Sequence, residues 1–317
     1  MLAGHFPATF KETFITSVIK KSGLDAAEVG SYRPISNLSV ISKLLERLVA
    51  KQLTDYLNTA DLLPQFQSSF RAGHSTETAI LWVLSSDILA AVDGGDVAAF
   101  VLLDLSAAFD TVDHDILCRR LQMSFSLSGA VLGWFQSYLC GRSQYVRRGQ
   151  LKSAVTMLMC GVPQGSVLGP ILFILYTADL VALVEKHGFR SHLYADDSQV
   201  YGWCRPSDVA DFQLRLSNCI DDVALWMWVN RLQLNTSKTD LLWCSTSRRQ
   251  SQLPCIPLRV GADLINPSSS VRNLGIFLDA DLTMRTHVQR TIQRVVLLPC
   301  ASYAVSGARS RRLFTRH

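Results

Sequence analysis

His192-Leu193-Tyr194-Ala195-Asp196-Asp197-Ser198-Gln199-Val200-Tyr201 sets two adjacent carboxylates between two short strand-like runs. The pattern is that of a β-hairpin with acids at its tip. A second apolar run, Val97-Ala98-Ala99-Phe100-Val101-Leu102-Leu103, follows Gly94-Gly95-Asp96 and delivers Asp104 at its end. Its unbroken hydrophobicity predicts a strand buried on both faces. Aspartates carried on buried strands cost desolvation energy unless a cation or donor satisfies them, and neighbouring carboxylates raise each other's pKa. A divalent metal resolves both problems, and carboxylates with water and phosphate oxygens suit Mg²⁺. An Asp-Asp pair also serves in ordinary turns, so the dipeptide alone leaves both readings open.

Outward from these strands the pattern becomes helical. Between Ser39 and Leu57 the apolar residues Val40, Ile41, Leu44, Leu45, Leu48, Val49 and Leu53 predict an inward stripe, with Lys43, Glu46, Arg47 and Lys51 mostly outside. A second helix is expected from Ser75 or Thr76, as cap, to Leu89, and a third over Ile116–Gln122 with Asp113, His114 and Asp115 at its start. His114 has no second ligand nearby and reads as a helix-start or surface residue. Asp208 to Asn230 predicts a helix burying Val209, Phe212, Leu216, Ile220, Val223 and Leu225. Val167–Tyr176 is apolar but too short to span a bilayer, so a core helix is expected and no membrane partner. Helices interleaved with non-consecutive strands give an α+β class.

The 317 residues are 48% hydrophobic and 18% charged, which excludes a disordered chain. The net charge of +5 permits a polyanionic partner. Beyond Leu282 there is no acid, while Arg285, Arg290, Arg294, Arg309, Arg311, Arg312 and Arg316 follow, a tail suited to phosphates or simply to solvent. The eight cysteines form no Cys-x-x-Cys pair, so no zinc site is expected. The N-terminus lacks the pattern of a signal peptide, and an intracellular location, nuclear or cytoplasmic, is the expectation.

Phe100–His114, which contains Leu103-Asp104-Leu105-Ser106-Ala107-Ala108-Phe109-Asp110, resembles polymerase motif A of non-LTR (LINE-type) retrotransposon reverse transcriptases. Gly161-Val162-Pro163-Gln164-Gly165-Ser166-Val167-Leu168-Gly169-Pro170 resembles their motif B, and Tyr194-Ala195-Asp196-Asp197 their motif C. Tyr32-Arg33-Pro34-Ile35-Ser36 and Phe70-Arg71-Ala72-Gly73-His74-Ser75-Thr76 are similar to the fingers motifs. Asn230–Thr239 is similar to motif D, and Val271-Arg272-Asn273-Leu274-Gly275-Ile276 to the primer-gripping segment. The likeness runs in family order over roughly residues 10–295.

That resemblance implies a right-hand polymerase fold: fingers over residues 1–96, a palm over 97–245 with an inserted fingers segment, and a primer grip with an incomplete thumb over 246–317. It implies an RNA-directed DNA polymerase that adds dNTPs to a DNA primer on an RNA template. Asp104 and Asp196 would hold two Mg²⁺ ions, replaceable by Mn²⁺, with Asp197 supporting them more loosely. Phe109 would lie under the sugar and exclude a 2′-hydroxyl. Gln164 and Gly165 would meet the nucleotide, Arg71 clamp its triphosphate, and Lys238 supply a proton to pyrophosphate. The rival within enzymes is an RNA-dependent RNA polymerase, which Phe109 opposes.

Departures from the family pattern are Ser69 for a glycine, Ser198 for a threonine and the added Trp228. If the position of Ser69 needs a positive φ, the serine is strained there. After about Val295 the likeness fades, as expected of a truncated copy of an element, and a polymerase-dead remnant that only binds nucleic acid is the alternative.

Overall fold

A computed structural model describes residues 4–21 and 23–293. Most of the arginine-rich tail lies outside the described residues. The central sheet has five strands in the order Pro267–Ser268, Asp240–Cys244, Val97–Leu103, Asp197–Cys204, Arg190–Tyr194. All neighbours are antiparallel except the short outer strand Pro267–Ser268.

The continuous apolar run of Val97–Leu103 has a physical explanation in this sheet: both faces are covered. Ala99, Val101 and Leu103 pack into the larger core, against the helices Val40–Thr59, His114–Met123, Leu168–Thr177 and Val209–Val229. Ala98 and Phe100 turn the other way, onto Tyr201, Leu242, Val83, Ile88, Val271 and Leu278. Leu168–Thr177 is buried almost throughout, as expected of a core helix. It leads into Asp179–Lys186, and the two form a stretch long and apolar enough to cross a membrane by length and composition alone, 56% of it buried inside the fold.

A second sheet places Glu12–Ile19 between Tyr32–Asn37, antiparallel, and Arg142–Arg148, parallel. Residues 142–158 thus leave the central sheet to join the N-terminal strands.

Several expectations needed correction. The long helix Val40–Thr59 turns only part of its predicted apolar stripe inward: Val49 and Leu53 are buried and Leu45 is half-buried, while Val40, Ile41, Leu44 and Leu48 are exposed, Val40 by 75%. Beside Val49 and Leu53 it buries Ser42, Glu46, Ala50 and Leu57. Glu46, expected outside, is fully buried, because two backbone N–H groups of a distant helix start need its oxygen. The helix after Ser75 runs to Asp93, past Leu89, through a π-helical stretch at Trp82–Ile88. Ser75 is its cap, in a reciprocal capping box with Thr78. Asp87 in the π stretch is buried, paired with Arg190 and accepting from Tyr201 Oη at 2.9 Å. Leu225 is exposed rather than buried, since it stands two residues from Val223 and so about 200° around the helix.

The positive φ near Ser69 belongs to Phe70, at 57°, so the serine carries no strain of that kind. Trp228 is 71% exposed.

Candidate active site

Register decides where the acids meet. Leu103 pairs with Ser198, and Tyr194 pairs with Asp197. Asp104 therefore leaves one central strand at the end where Asp196 and Asp197 close the hairpin beside it. Ala195 takes φ 57°, the left-handed conformation that turns the chain tightly between the two strands. Burial raises the pKa of Asp196, with the charge of Asp104 acting in the same direction. Burial also pushes Asp197 up, to about 6, with Asp196 and then Asp104 adding to it.

The same end receives cations and donors. Lys238 Nζ lies 2.9 Å from Asp104 Oδ2. Asn235 donates to that oxygen from its side chain at 3.3 Å, and its backbone N–H donates to the Asp104 carbonyl at 2.9 Å. The cleft beside these groups has a volume of about 370 Å³ and is lined by Asp104, Asp197, Lys238, Arg272, Asn273 and Leu274, among others. Asn273 and Leu274 stand at the turn between the paired strands Ser270–Asn273 and Ile276–Asp279. Gln199, fully buried under the acid hairpin, donates to Asn273 Oδ1 at 3.0 Å and ties that turn to the acids.

The raised acid has a stability consequence. Asp197 holds its proton more tightly folded than unfolded, where its ordinary value is 3.8. Its contribution to folding is complete at acid pH and is lost as pH rises through about 6. Without metal, Asp197→Asn is expected to raise stability at pH 7.5 by about 1–2 kcal/mol, after discounting for solvent screening, and to change little at pH 4. Thermal melts at the two pH values check this; equal shifts at both would contradict it.

A neighbouring cleft of about 350 Å³ is lined by Pro34, Ser36, Asp110, Gln144, Gly161 and Gln164, with others. The motif-A turn and the motif-B loop are laced together there. Gly161 N donates to Val112 O at 2.7 Å, and Val162 N to Phe109 O at 2.8 Å. Gly161 has φ 87°, and a Cβ there would stand 2.8 Å from the Asp110 carbonyl, so only glycine fits. Gly165 has φ 105° and runs against Ser36 O, while Ser36 N donates to Gln164 O at 2.8 Å. Phe109 stacks on Phe173, with centroids 4.9 Å apart. Asp113 caps its helix by accepting from Asp115 N and Ile116 N, both at 3.0 Å. His114 begins the helix, buried, with Nε2 2.8 Å from Gly161 O.

Asp104, Asp196, Asp197 and Lys238 are thus brought together, while Gln164 lines the cleft beside the motif-A turn and Gly165 packs against Ser36. Arg71 lines neither cleft. Its Nη1 donates to Pro64 O at 2.8 Å and Gln67 O at 3.3 Å, bracing the loop that bonds Leu193 through Phe66 O and Ser68 N. Sequence reasoning passed over Arg33, which is exposed and close enough for its charge to lower the pKa of Asp196. Its signal was a cation within Tyr32-Arg33-Pro34, quoted for the motif and not for the side chain. Asn235 was missed in the same way.

A divalent ion fits this donor set. Three carboxylates crowd one strand end, and burial and the neighbouring charges penalise ionisation of Asp196 and Asp197, which a cation relieves. Among the described residues no three His, Cys, Asp or Glu side chains close around one ion by themselves. An ion here would complete its shell from water and phosphate, as Mg²⁺ does.

Comparison with known proteins shows the family and the fold. The family model described as reverse transcriptase (RNA-dependent DNA polymerase) matches residues 19–278. The chain is 34% identical over 300 residues to a probable RNA-directed DNA polymerase from transposon BS of Drosophila melanogaster, covering 91% of this chain and 32% of that protein. It is 33% identical over 318 residues to the corresponding protein from transposon X-element of the same organism, covering 97% and 33%. The chain spans about a third of the length of these curated relatives. Among solved structures, apo telomerase from Candida tropicalis, truncated from its C-terminal domain, matches with a TM-score of 0.59 at 14% identity, over 86% of this chain and 54% of that one. That likeness shows the fold, an α+β right-hand polymerase. The chain belongs to the reverse transcriptase (RNA-dependent DNA polymerase) family and is of the LINE retrotransposon type.

Proposed function

We propose that this chain carries the polymerase site of a LINE-type element and adds dNTPs to a DNA primer 3′-hydroxyl on an RNA template. The observation that supports this best is the register that sets Asp104 beside Asp196 and Asp197, within motifs in family order. Asp104 and Asp196 would hold Mg²⁺, or Mn²⁺ in its place, with Asp197 steadying the hairpin. Such ions, when bound, acidify the attacking hydroxyl and neutralise the leaving pyrophosphate.

The chain's own residues supply the rest. Lys238, whose Nζ lies 2.9 Å from Asp104 Oδ2, would protonate the leaving group. Arg33 is an alternative to Arg71 for clamping the triphosphate, since it is exposed and near enough for its charge to act on Asp196, while Arg71 Nη1 braces a loop. Gln164 and Gly165 form the wall against which the base and sugar stand. Asn273 and Leu274, held by Gln199, present a turn to the primer end. In this reading residues 1–96 are fingers, 97–245 palm, and 246–317 primer grip and the start of a thumb. The strand Arg142–Arg148, which returns to the N-terminal sheet, is the inserted fingers segment.

Primer extension on an RNA template with Mg²⁺ or Mn²⁺ tests the proposal against an Asp196→Ala, Asp197→Ala control. Extension by the parent chain and none by the control is expected. Activity that survives in the control would sink the site assignment, and a parent that binds primer–template without extending it would mark a polymerase-dead remnant.

A further inference from the structure

The motif-B loop is fixed at its far end by a carboxylate from elsewhere in the fold. Glu46, in the middle of Val40–Thr59, is fully buried. Its Oε2 accepts from Val167 N at 2.7 Å and, more weakly, from Leu168 N at 3.4 Å, across 121 residues of sequence. Ser42 Oγ donates to its other oxygen at 3.2 Å. Val167 is the N-cap of the helix Leu168–Thr177, whose first N–H groups have no partner within the helix. An anion there also meets the positive end of the helix dipole.

A local cap already exists. Ser166 Oγ accepts from Gly169 N at 2.9 Å. A buried acid is a costly second cap, because it must be stripped of water. Its surroundings show that it is built in rather than incidental. Arg142, also buried, lies against the Tyr138 ring, with its Cζ 5.1 Å from the centroid, and carries two side-chain nitrogens, Nε and Nη2, without a protein partner. Burial lowers the pKa of Arg142, and Tyr138 and Glu46 act to raise it again. Two opposite charges are therefore kept close inside the fold without a direct ion pair.

What Glu46 adds over Ser166 is an external reference point. Ser36 holds Gln164 O three residues before Val167, and Glu46 holds Val167 itself. Both anchors come from the N-terminal segment, so the loop Pro163–Ser166 is spanned between two fixed points of one body. We propose that Glu46 is a positioning residue for the incoming nucleotide: it sets the place of Gln164 and Gly165 relative to the strand Tyr32–Asn37. The proposal rests on the polymerase reading for its kinetic consequence and not for its structural one.

Steady-state primer extension by the full chain tests the first. Glu46→Gln is expected to raise the KM for dNTP about tenfold, leaving kcat and the KM for primer–template within about twofold. Glu46→Asp, one methylene too short to reach both N–H groups, should fall between. A merely destabilised enzyme loses active molecules, which lowers kcat and leaves KM alone. Glu46→Gln with Arg142→Met removes both buried charges and keeps the test valid if the single variant folds poorly; its dNTP KM should stay raised. An unchanged dNTP KM in these variants overturns the proposal.

Amide hydrogen exchange gives the second readout, independent of activity. Faster exchange confined to residues 164–168 is expected in Glu46→Gln, and unchanged exchange there overturns the positioning role. If the parent chain fails to extend primers while exchange responds as stated, the polymerase reading fails and the anchor stands.

Discussion

Asp104→Asn is expected to lower primer extension by about 10³-fold or more and to leave the protein at least as stable as the parent. The two effects have one cause. Asp104 ends a strand buried on both faces and adds its charge to a corner where Asp196 and Asp197 are already reluctant to ionise. Asparagine keeps the shape, keeps an acceptor for Lys238 and Asn235, and removes one of three crowded charges. Folding gains what the metal site loses. Extension assays beside thermal melts read both, without metal and with Mg²⁺. In the parent, Mg²⁺ should raise the melting temperature, and in the variant that increment should shrink. Extension within tenfold of the parent would remove Asp104 from the catalytic group; a large drop in melting temperature would mean the strand end needs the charge for folding.

Phe109→Val is expected to weaken discrimination against ribonucleotides by about 10- to 100-fold, through a lower KM for rNTP and little change for dNTP. Phe109 sits where the motif-A turn touches the motif-B loop, with its carbonyl held by Val162 N and its ring stacked on Phe173. In the polymerase reading, that stacking would keep the ring from yielding to a 2′-hydroxyl. Valine is shorter and leaves room for that oxygen while the backbone bond to Val162 survives. The ring is only partly buried, so the stability cost should be modest, about 1–2 kcal/mol, well short of a full core truncation. Competing dNTP and rNTP incorporation gives the ratio directly. An unchanged ratio would make Phe109 a packing residue and reopen the choice between DNA and RNA synthesis.

Much of this was legible in the residues because it depends on short range. The run Val97–Leu103 and the hairpin around Asp196 carry their strand character in their own composition, and an acid at a strand end is a local fact. Asp113 as a cap and Val167–Tyr176 as a core helix are equally local. The long helix Val40–Thr59 shows where such reading stops. Its apolar residues do form a stripe, but a stripe gives only a direction around one helix axis. Which flank of the stripe is inward depends on what lies there: Val49 and Leu53 meet the core, Val40, Ile41, Leu44 and Leu48 do not, and the helix start at Val167 draws Glu46 in.

Arg71 and Arg33 make the same point for function. Both are arginines within motifs of the fingers, and nothing in residue type separates them. The fold turns Arg71 Nη1 onto two carbonyls of its own loop and leaves Arg33 exposed, near enough for its charge to act on Asp196.

The sequence by itself determined that two carboxylates stand at the tip of a buried hairpin and a third at the end of a buried strand. It did so because strand burial and turn chemistry act over a few residues. Only the tertiary structure decided that the three converge, that Lys238 and Asn235 meet Asp104, and that Glu46 holds the helix start at Val167. Those pairings span 121 residues for Glu46 and 134 for Lys238, and they follow from strand register and helix placement, which no local pattern encodes.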